Sequence, residues 1–276
     1  MVRRVFGFVF KSIFFLSFSA AFMAGSGMSA GNGADVYDGE LRFKHKIAGR
    51  YAHYDVVAYV EKVYLTEMRT LVISYGITDL TVDDDGRLIA TDRYCHAAHK
   101  SNLPFTSEVP DSFTQAIVPR STPVEIRNDG GVFSIWRPET PTPIGIKLEN
   151  PDEPLPKNPK DPRISDDDHD GKPGVTVKIK MYGVLNTELY LARREIFAYG
   201  LSLTDRGNLE GYVSDHSEQL VVGSPFPLLR AQRSPTQHPD PKLSPMILVP
   251  VDESYDCEKV MKQRDTLFPP EPEVWK

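Results

Sequence analysis

The sequence predicts a mainly β fold: two hairpin-rich halves that form a β-sandwich or small barrels, with few short helices. Three observations lead there. Apolar and polar residues alternate with period two over several runs, as half-buried strands require. Turn chemistry separates those runs, at Asp85-Gly86, Asn128-Asp-Gly-Gly131 and Asp205-Arg-Gly-Asn208. No stretch beyond residue 30 sustains a long amphipathic helical period.

Residues 1–30 read as a secretory signal peptide. Arg3, Arg4 and Lys11 accompany an apolar run from Ile13 to Met23, and small residues follow from Ala24 to Ala34; this is the charged, apolar and cleavage-zone order of an export signal. Ser19-Ala-Ala21 and Met28-Ser-Ala30 both suit cleavage. The body is therefore expected to be periplasmic or secreted. If the signal is left uncleaved, Val5 to Met23 is long enough to anchor the chain, and that segment is the one membrane contact expected. Arg3-Arg4-Val5-Phe6 begins like a twin-arginine signal, but the strongly apolar run after it favours Sec export.

Residues 31–137 form the first β-rich half. Leu41, Phe43, His45 and Ile47 alternate, as do Leu71, Ile73, Tyr75 and Ile77, and both runs predict strands. Tyr51, Tyr54, Tyr59, Tyr64, Tyr75 and Tyr94 suit a β core or a lined cavity, with core packing preferred. Residues 138–164 form a connector. Pro138, Pro141, Pro143, Pro151, Pro154, Pro156, Pro159 and Pro162 fall there, and proline removes ladder donors. Residues 165–267 hold an Asp-rich loop and the second β-rich half, in which Val175 to Met181 is the cleanest alternating strand. Asp252 to Thr266 suits one short helix, and residues 268–276 an extended tail. Val63-Tyr-Leu65 with Ser74-Tyr-Gly76, and Leu189-Tyr-Leu191 with Ala198-Tyr-Gly200, hint at an internal repeat, which chance alternation explains nearly as well.

The formal charge is −6, and it becomes −9 without residues 1–30, which hold three basic residues and no acidic ones. That argues against nucleic acid as a partner. Cys95 and Cys257 are the only cysteines and are expected to pair in an oxidising compartment.

The segment Ser165-Asp-Asp-Asp-His-Asp-Gly-Lys-Pro-Gly174 contains D-x-D-x-D-G. Calcium takes six to eight oxygens, and carboxylates at alternate positions converge on it when glycine permits a sharp turn. Asp166, Asp168 and Asp170 are the candidate side-chain ligands and the Lys172 backbone carbonyl a further one. Calcium is thus the candidate cofactor, in a structural site of dissociation constant about 0.1–1 mM; a solvated turn is the competing reading. The six residues resemble the first half of an EF-hand loop and the acidic loops of thrombospondin type 3 repeats. An EF-hand requires a bidentate Glu at its twelfth position, where this chain has Val177 within its clearest strand. The longer run from Asp161-Pro-Arg163 through Pro173-Gly-Val-Thr-Val177 resembles a stretch of uncharacterised secreted bacterial proteins. That likeness spans about 20–40 residues and implies export and a β-rich body, with no activity attached.

Cys95-His-Ala-Ala-His99 and Asp215-His-Ser-Glu218 contain residue types of metal and hydrolase sites. In the first, the two histidines are three apart, a spacing that binds metal from a helix face, but the neighbours do not complete a zinc set; in the second, strand neighbours point to opposite faces. The expected function is therefore a non-enzymatic binding or structural role in the cell envelope, with an unknown protein or small molecule as partner. Two alternatives stand beside it. A periplasmic lipid- or small-molecule-binding barrel requires an apolar cavity. A secreted hydrolase requires two of His96, His99 and His216 in one cleft with a carboxylate.

Overall fold

A computed structural model describes residues 31–63, 65–181 and 185–275, with side chains from residue 37 onward; the signal segment lies outside the described residues. The chain begins with α1 (Gly31–Ile47), then β1 (Gly49–Val63), β2 (Thr66–Val82), β3 (Leu88–Ser101), β4 (Thr106–Glu108) and α2 (Asp111–Ala116). β5 (Ser121–Asp129), β6 (Val132–Arg137) and β7 (Thr142–Ile144) lead to β8 (Val175–Met181), β9 (Leu185–Glu195) and β10 (Phe197–Leu203). β11 (Leu209–Asp215), β12 (Glu218–Gly223), β13 (Thr236–Gln237), β14 (Pro245–Val251) and α3 (Cys257–Leu267) complete it. The expected mainly β architecture is what forms: the fourteen strands among the described residues join one antiparallel sheet.

The turns expected from sequence connect β2 to β3, β5 to β6 and β10 to β11. In the first, Asp83 Oδ1 accepts from the Asp85 and Arg87 N–H groups, and Gly86 adopts φ 74°, a conformation open to glycine at little cost. Around one end of the molecule the sheet closes on itself, running β3-β2-β1-β14-β11-β10-β6-β5 and back to β3. Inside this ring Tyr51, Leu80, Leu88, Ile135, Tyr199, Leu201, Leu209 and Leu248 form a packed core.

α1 plugs the end of that ring, and here the structure corrects the sequence reading of a strand over Leu41 to Ile47. Phe43 and Ile47 are buried in the ring core while Leu41 and His45 are exposed, so the operative spacing is four. Residues four apart share a face in both a strand and a helix, and a run this short does not separate the two periods. Ion pairs Asp38–Arg42 and Glu40–Lys44 join residues four apart along this helix.

β1, β2 and β3 are long enough to run past the ring, at 15, 17 and 14 residues. Beyond it the sheet continues the other way, through β4, β8, β9 and β12, while β13 adds to β1. Strands from both sides of the proline-rich connector are therefore interleaved: β6 pairs with β10, β4 with β8 and β14 with β1. Two glutamines bridge backbone groups that no strand pairs. The Gln232 side chain accepts from Val221 N and donates to Val221 O, each at 2.8 Å; Gln237 does the same for Asp215 N and Val213 O. This second part of the sheet curls round a cavity.

The connector is irregular apart from β7, which pairs with β9, and a bridge between Ile146 and Ile164. Arg194 holds it down by donating to the carbonyls of Asp152 and Glu153 at 2.6 and 2.9 Å. On the outer face of β1–β3, α3 and the tail cover Tyr54, Ile73, Tyr75 and Ile77 through Val260 and Phe268. The Cys95–Cys257 disulfide fastens α3 to β3. No described helix is long and apolar enough to cross a membrane.

Candidate ligand cavity and the Asp loop

A bulge in β3 decides what faces the cavity. Tyr75 pairs with His96 but Gly76 pairs with Tyr94, leaving Cys95 as the extra residue. A Cβ on Gly76 would stand 2.3 Å from Arg93 O, so the close approach there requires glycine. Because of the extra residue, Ala90, Asp92 and Tyr94 point inward before the bulge and Ala97 and His99 point inward after it. Cys95 and His96 face outward, which is how Cys95 reaches α3.

The cavity measures about 300 Å³, at the lower end of the ~300–1,000 Å³ typical of small-molecule pockets. Its walls are apolar: Val57, Val72, Phe105, Val109, Phe113 and Ile179 are among the side chains that line it. α2 contributes Phe113 by burying that residue against β3 and β8. Toward the tips of the β1–β2 and β8–β9 hairpins the lining passes through Val63, Met68 and Met181. Leu65 at the first tip is fully exposed, as are in large part Val118 and Leu228, chain neighbours of the lining residues Ile117 and Leu229.

The opposite end, next to the ring core, is polar. Arg193 pairs with Glu195 through both nitrogens of one edge, Nε at 2.6 Å, and donates to Gln219 at 3.2 Å. Asp215 Oδ1 accepts from the Tyr59 hydroxyl at 2.8 Å and from Ser217 N at 3.0 Å. Ser217 Oγ lies 2.7 Å from Asp215 Oδ2 and 3.1 Å from Glu195 Oε2. Burial, reinforced by the Glu195 charge, pushes the Asp215 carboxyl above its ordinary range. Burial opposes the charge on Arg193, yet Glu195 beside it outweighs this and holds the guanidinium charged. His99 is drawn down to about 4, first by burial and then by Arg193, so it is neutral at pH 7. Tyr59, Tyr94, His99 and Arg193 lie deep in the molecule yet keep accessible surface, and that surface faces the cavity.

The Asp loop sits where the connector meets β8. Asp166, Asp168 and Asp170 bring one carboxylate oxygen each within 4.8 Å of the others. Asp166 accepts from the N–H groups of Asp170 and Gly171, at 3.0 and 2.8 Å, and Gly171 takes φ 82°. Asp168 Oδ2 accepts from Thr176 N, while its Oδ1 is buried with no hydrogen-bond partner. Burial raises the Asp168 carboxyl above its ordinary range, and the charges of Asp170 and Asp166 add to this. Asp167 turns away and caps Gly145 N at 2.7 Å. Lys172, whose carbonyl the sequence offers as a ligand, donates its N–H to Asp170 Oδ1 and sets its ammonium 2.6 Å from Glu188 and 3.5 Å from Asp170. Val177, where an EF-hand would carry Glu, is buried in the cavity wall.

The three candidate histidines stand apart. His96 is on the outer face with Nδ1 2.7 Å from Asp111, His99 is inside with Nδ1 3.0 Å from Ser107, and His216 is exposed beside Glu139. Of Asp215-His-Ser-Glu218, Asp215 and Ser217 turn into the cavity and His216 away from it. Arg193 and Glu195 belong to no motif in the sequence, and Asp215 enters there only within Asp215-His-Ser-Glu218. The available signal was β9, where Leu189, Leu191, Arg193 and Glu195 share one face that turns from apolar to charged. No family model, no curated protein and no solved structure matches the chain.

Proposed function

We propose that the protein is an exported, non-enzymatic carrier or receptor for a small amphipathic molecule, which it holds in the cavity. The observation that carries this reading is a cavity of about 300 Å³ with apolar walls and one polar end, in a molecule whose ring core is otherwise packed. Apolar surface facing a cavity is stabilised when a ligand replaces water there, at roughly 25 cal/mol per Å² covered, and the polar end orients the head group. The Cys95–Cys257 disulfide fits a periplasmic or secreted location. The hydrolase alternative loses support because His96, His99 and His216 lie in three separate surroundings. Solvent extraction of protein purified from its native envelope, followed by mass spectrometry, tests the reading. A stoichiometric amphipath is expected; extracts empty of any such molecule, with no uptake of added apolar probes, would contradict it.

A second reading concerns the Asp loop, as a calcium clamp at the start of β8. What favours it is Asp168 Oδ1, buried without a partner and placed among two further carboxylates. Leaving such an oxygen unpaired costs about 1–3 kcal/mol, which a cation would remove. Thermal melts in calcium and in chelator test this, because an ion that binds only the folded chain raises the melting temperature. A calcium-dependent rise is expected for the natural chain and its loss in Asp168→Asn; equal melts in 5 mM calcium and in chelator, about fivefold above the weak end of such sites, would rule the clamp out.

A further inference from the structure

The charges around the cavity are unequal. Four carboxylates line it, those of Asp55, Glu61, Glu195 and Asp215, against two guanidinium groups, those of Arg193 and Arg233. Both cations are engaged: Arg193 with Glu195 at 2.6 Å and Arg233 with Glu61 at 3.6 Å. His99, the remaining basic side chain in the described lining, is neutral at pH 7. Asp55 takes His53 at 2.8 Å as its partner from the ring core behind it. Asp215 is different. Its hydrogen bonds come from neutral donors only, Tyr59, Ser217 N and Ser217 Oγ, and Oδ2 receives just one of them. Arg193 acts on Asp215 through its charge without a hydrogen bond; a buried carboxylate with no cation in contact is costly, and an ammonium brought against it recovers much of that cost. A carboxylate head group would meet the reverse: excess negative charge and guanidinium groups already occupied.

We infer that the cavity selects amphipaths with a cationic, N–H-donating head, of the alkylammonium class, and seats that head against Asp215 and Glu195. This rests on the cavity reading above. It assigns the polar end its chemistry: Tyr59 and Ser217 hold the Asp215 carboxylate in place, Glu195 keeps Arg193 engaged, and the apolar walls take the chain.

The test uses the neutral fluorescent probe N-phenyl-1-naphthylamine, displaced at pH 7 by decylammonium, decanoate and decanol, all below their micelle concentrations. Decylammonium is expected to displace it at concentrations about tenfold lower than decanoate, the ratio one favourable charge contact of ordinary size supplies. Asp215→Asn should bring the two within about threefold of each other. Glu195→Gln, which releases Arg193, should move the preference toward decanoate, and it serves if Asp215→Asn does not fold. Failure of the natural chain to take up probe or any of the three would overturn the cavity reading itself. Probe uptake with decanoate equal to or stronger than decylammonium would leave the cavity standing and overturn the head-group assignment, as would an unchanged preference in both variants.

Discussion

At the scale of the residue, the molecule is organised by buried polar groups that strand alternation alone turns inward. Arg137 is only 2% exposed: its Nε lies 3.1 Å from Asp92 Oδ2, Nη1 donates to Phe197 O at 2.8 Å, and the guanidinium stacks 4.3 Å over the Phe197 ring. Breaking a buried ion pair on one side strands the other charge. Arg137→Met is therefore expected to lower unfolding free energy by about 3–5 kcal/mol in denaturant titrations, and an unchanged midpoint would mean the pair is not formed. His99 supplies a pH dependence of definite sign. Its pKa, about 4 in the fold, lies below its ordinary 6.5, so the neutral form that folding favours contributes stability above pH 6.5 and loses it as pH falls toward 4. Because His99 faces a cavity that admits water, the contribution is at most about 3 kcal/mol. Denaturant midpoints at pH 7 and pH 4.5 should fall further for the natural chain than for His99→Gln; equal falls would remove His99 as the cause.

At the scale of the element, what was legible depended on how local the signal is. β8 was readable because Val175, Val177 and Ile179 are buried on one face and Lys178 and Lys180 are exposed on the other. The glycine turns were readable because a tight turn needs residues that tolerate positive φ. The Asp loop was readable as a unit, since its three carboxylates are neighbours in the chain. α1 was misread because Phe43 and Ile47 satisfy both periods, and only the ring core beneath them decides between the two. The bulge at Cys95 was not legible: it depends on Gly76 in the partner strand, 19 positions away. Its consequence is testable. The disulfide lies on the outer face and the cavity on the inner one, so Cys95→Ala with Cys257→Ala should cost about 2–5 kcal/mol of stability while probe uptake is retained. Uptake lost in a chain that still melts cooperatively would show that the two faces are coupled.

At the scale of the whole molecule, function depends on closure. The cavity is lined from β1, β2, β3, β4, α2, β8, β9, β10, β11 and β12, with Leu229, Arg233 and Pro235 from the segment between β12 and β13. The lining is assembled from segments spread between residues 55 and 235, so the sequence admitted a cavity without indicating one. The same sheet packs its core tightly in the ring, where Leu80, Leu88, Ile135 and Leu209 are each no more than 1% exposed, and encloses the cavity where it runs on past the ring. Glutamine side chains, not a continuous ladder, complete part of the enclosure.

The most direct measurement is a fluorescence titration of N-phenyl-1-naphthylamine into the natural chain and into Val72→Trp. Val72 lines the cavity and is not fully buried, so an indole there fills the space a ligand would use without displacing packed core. The account predicts saturable uptake at one probe per chain in the natural protein, and at least about a tenfold weaker affinity in Val72→Trp with cooperative unfolding preserved. Equal uptake by both chains, or none by the natural one, would contradict the claim that this cavity is the ligand site.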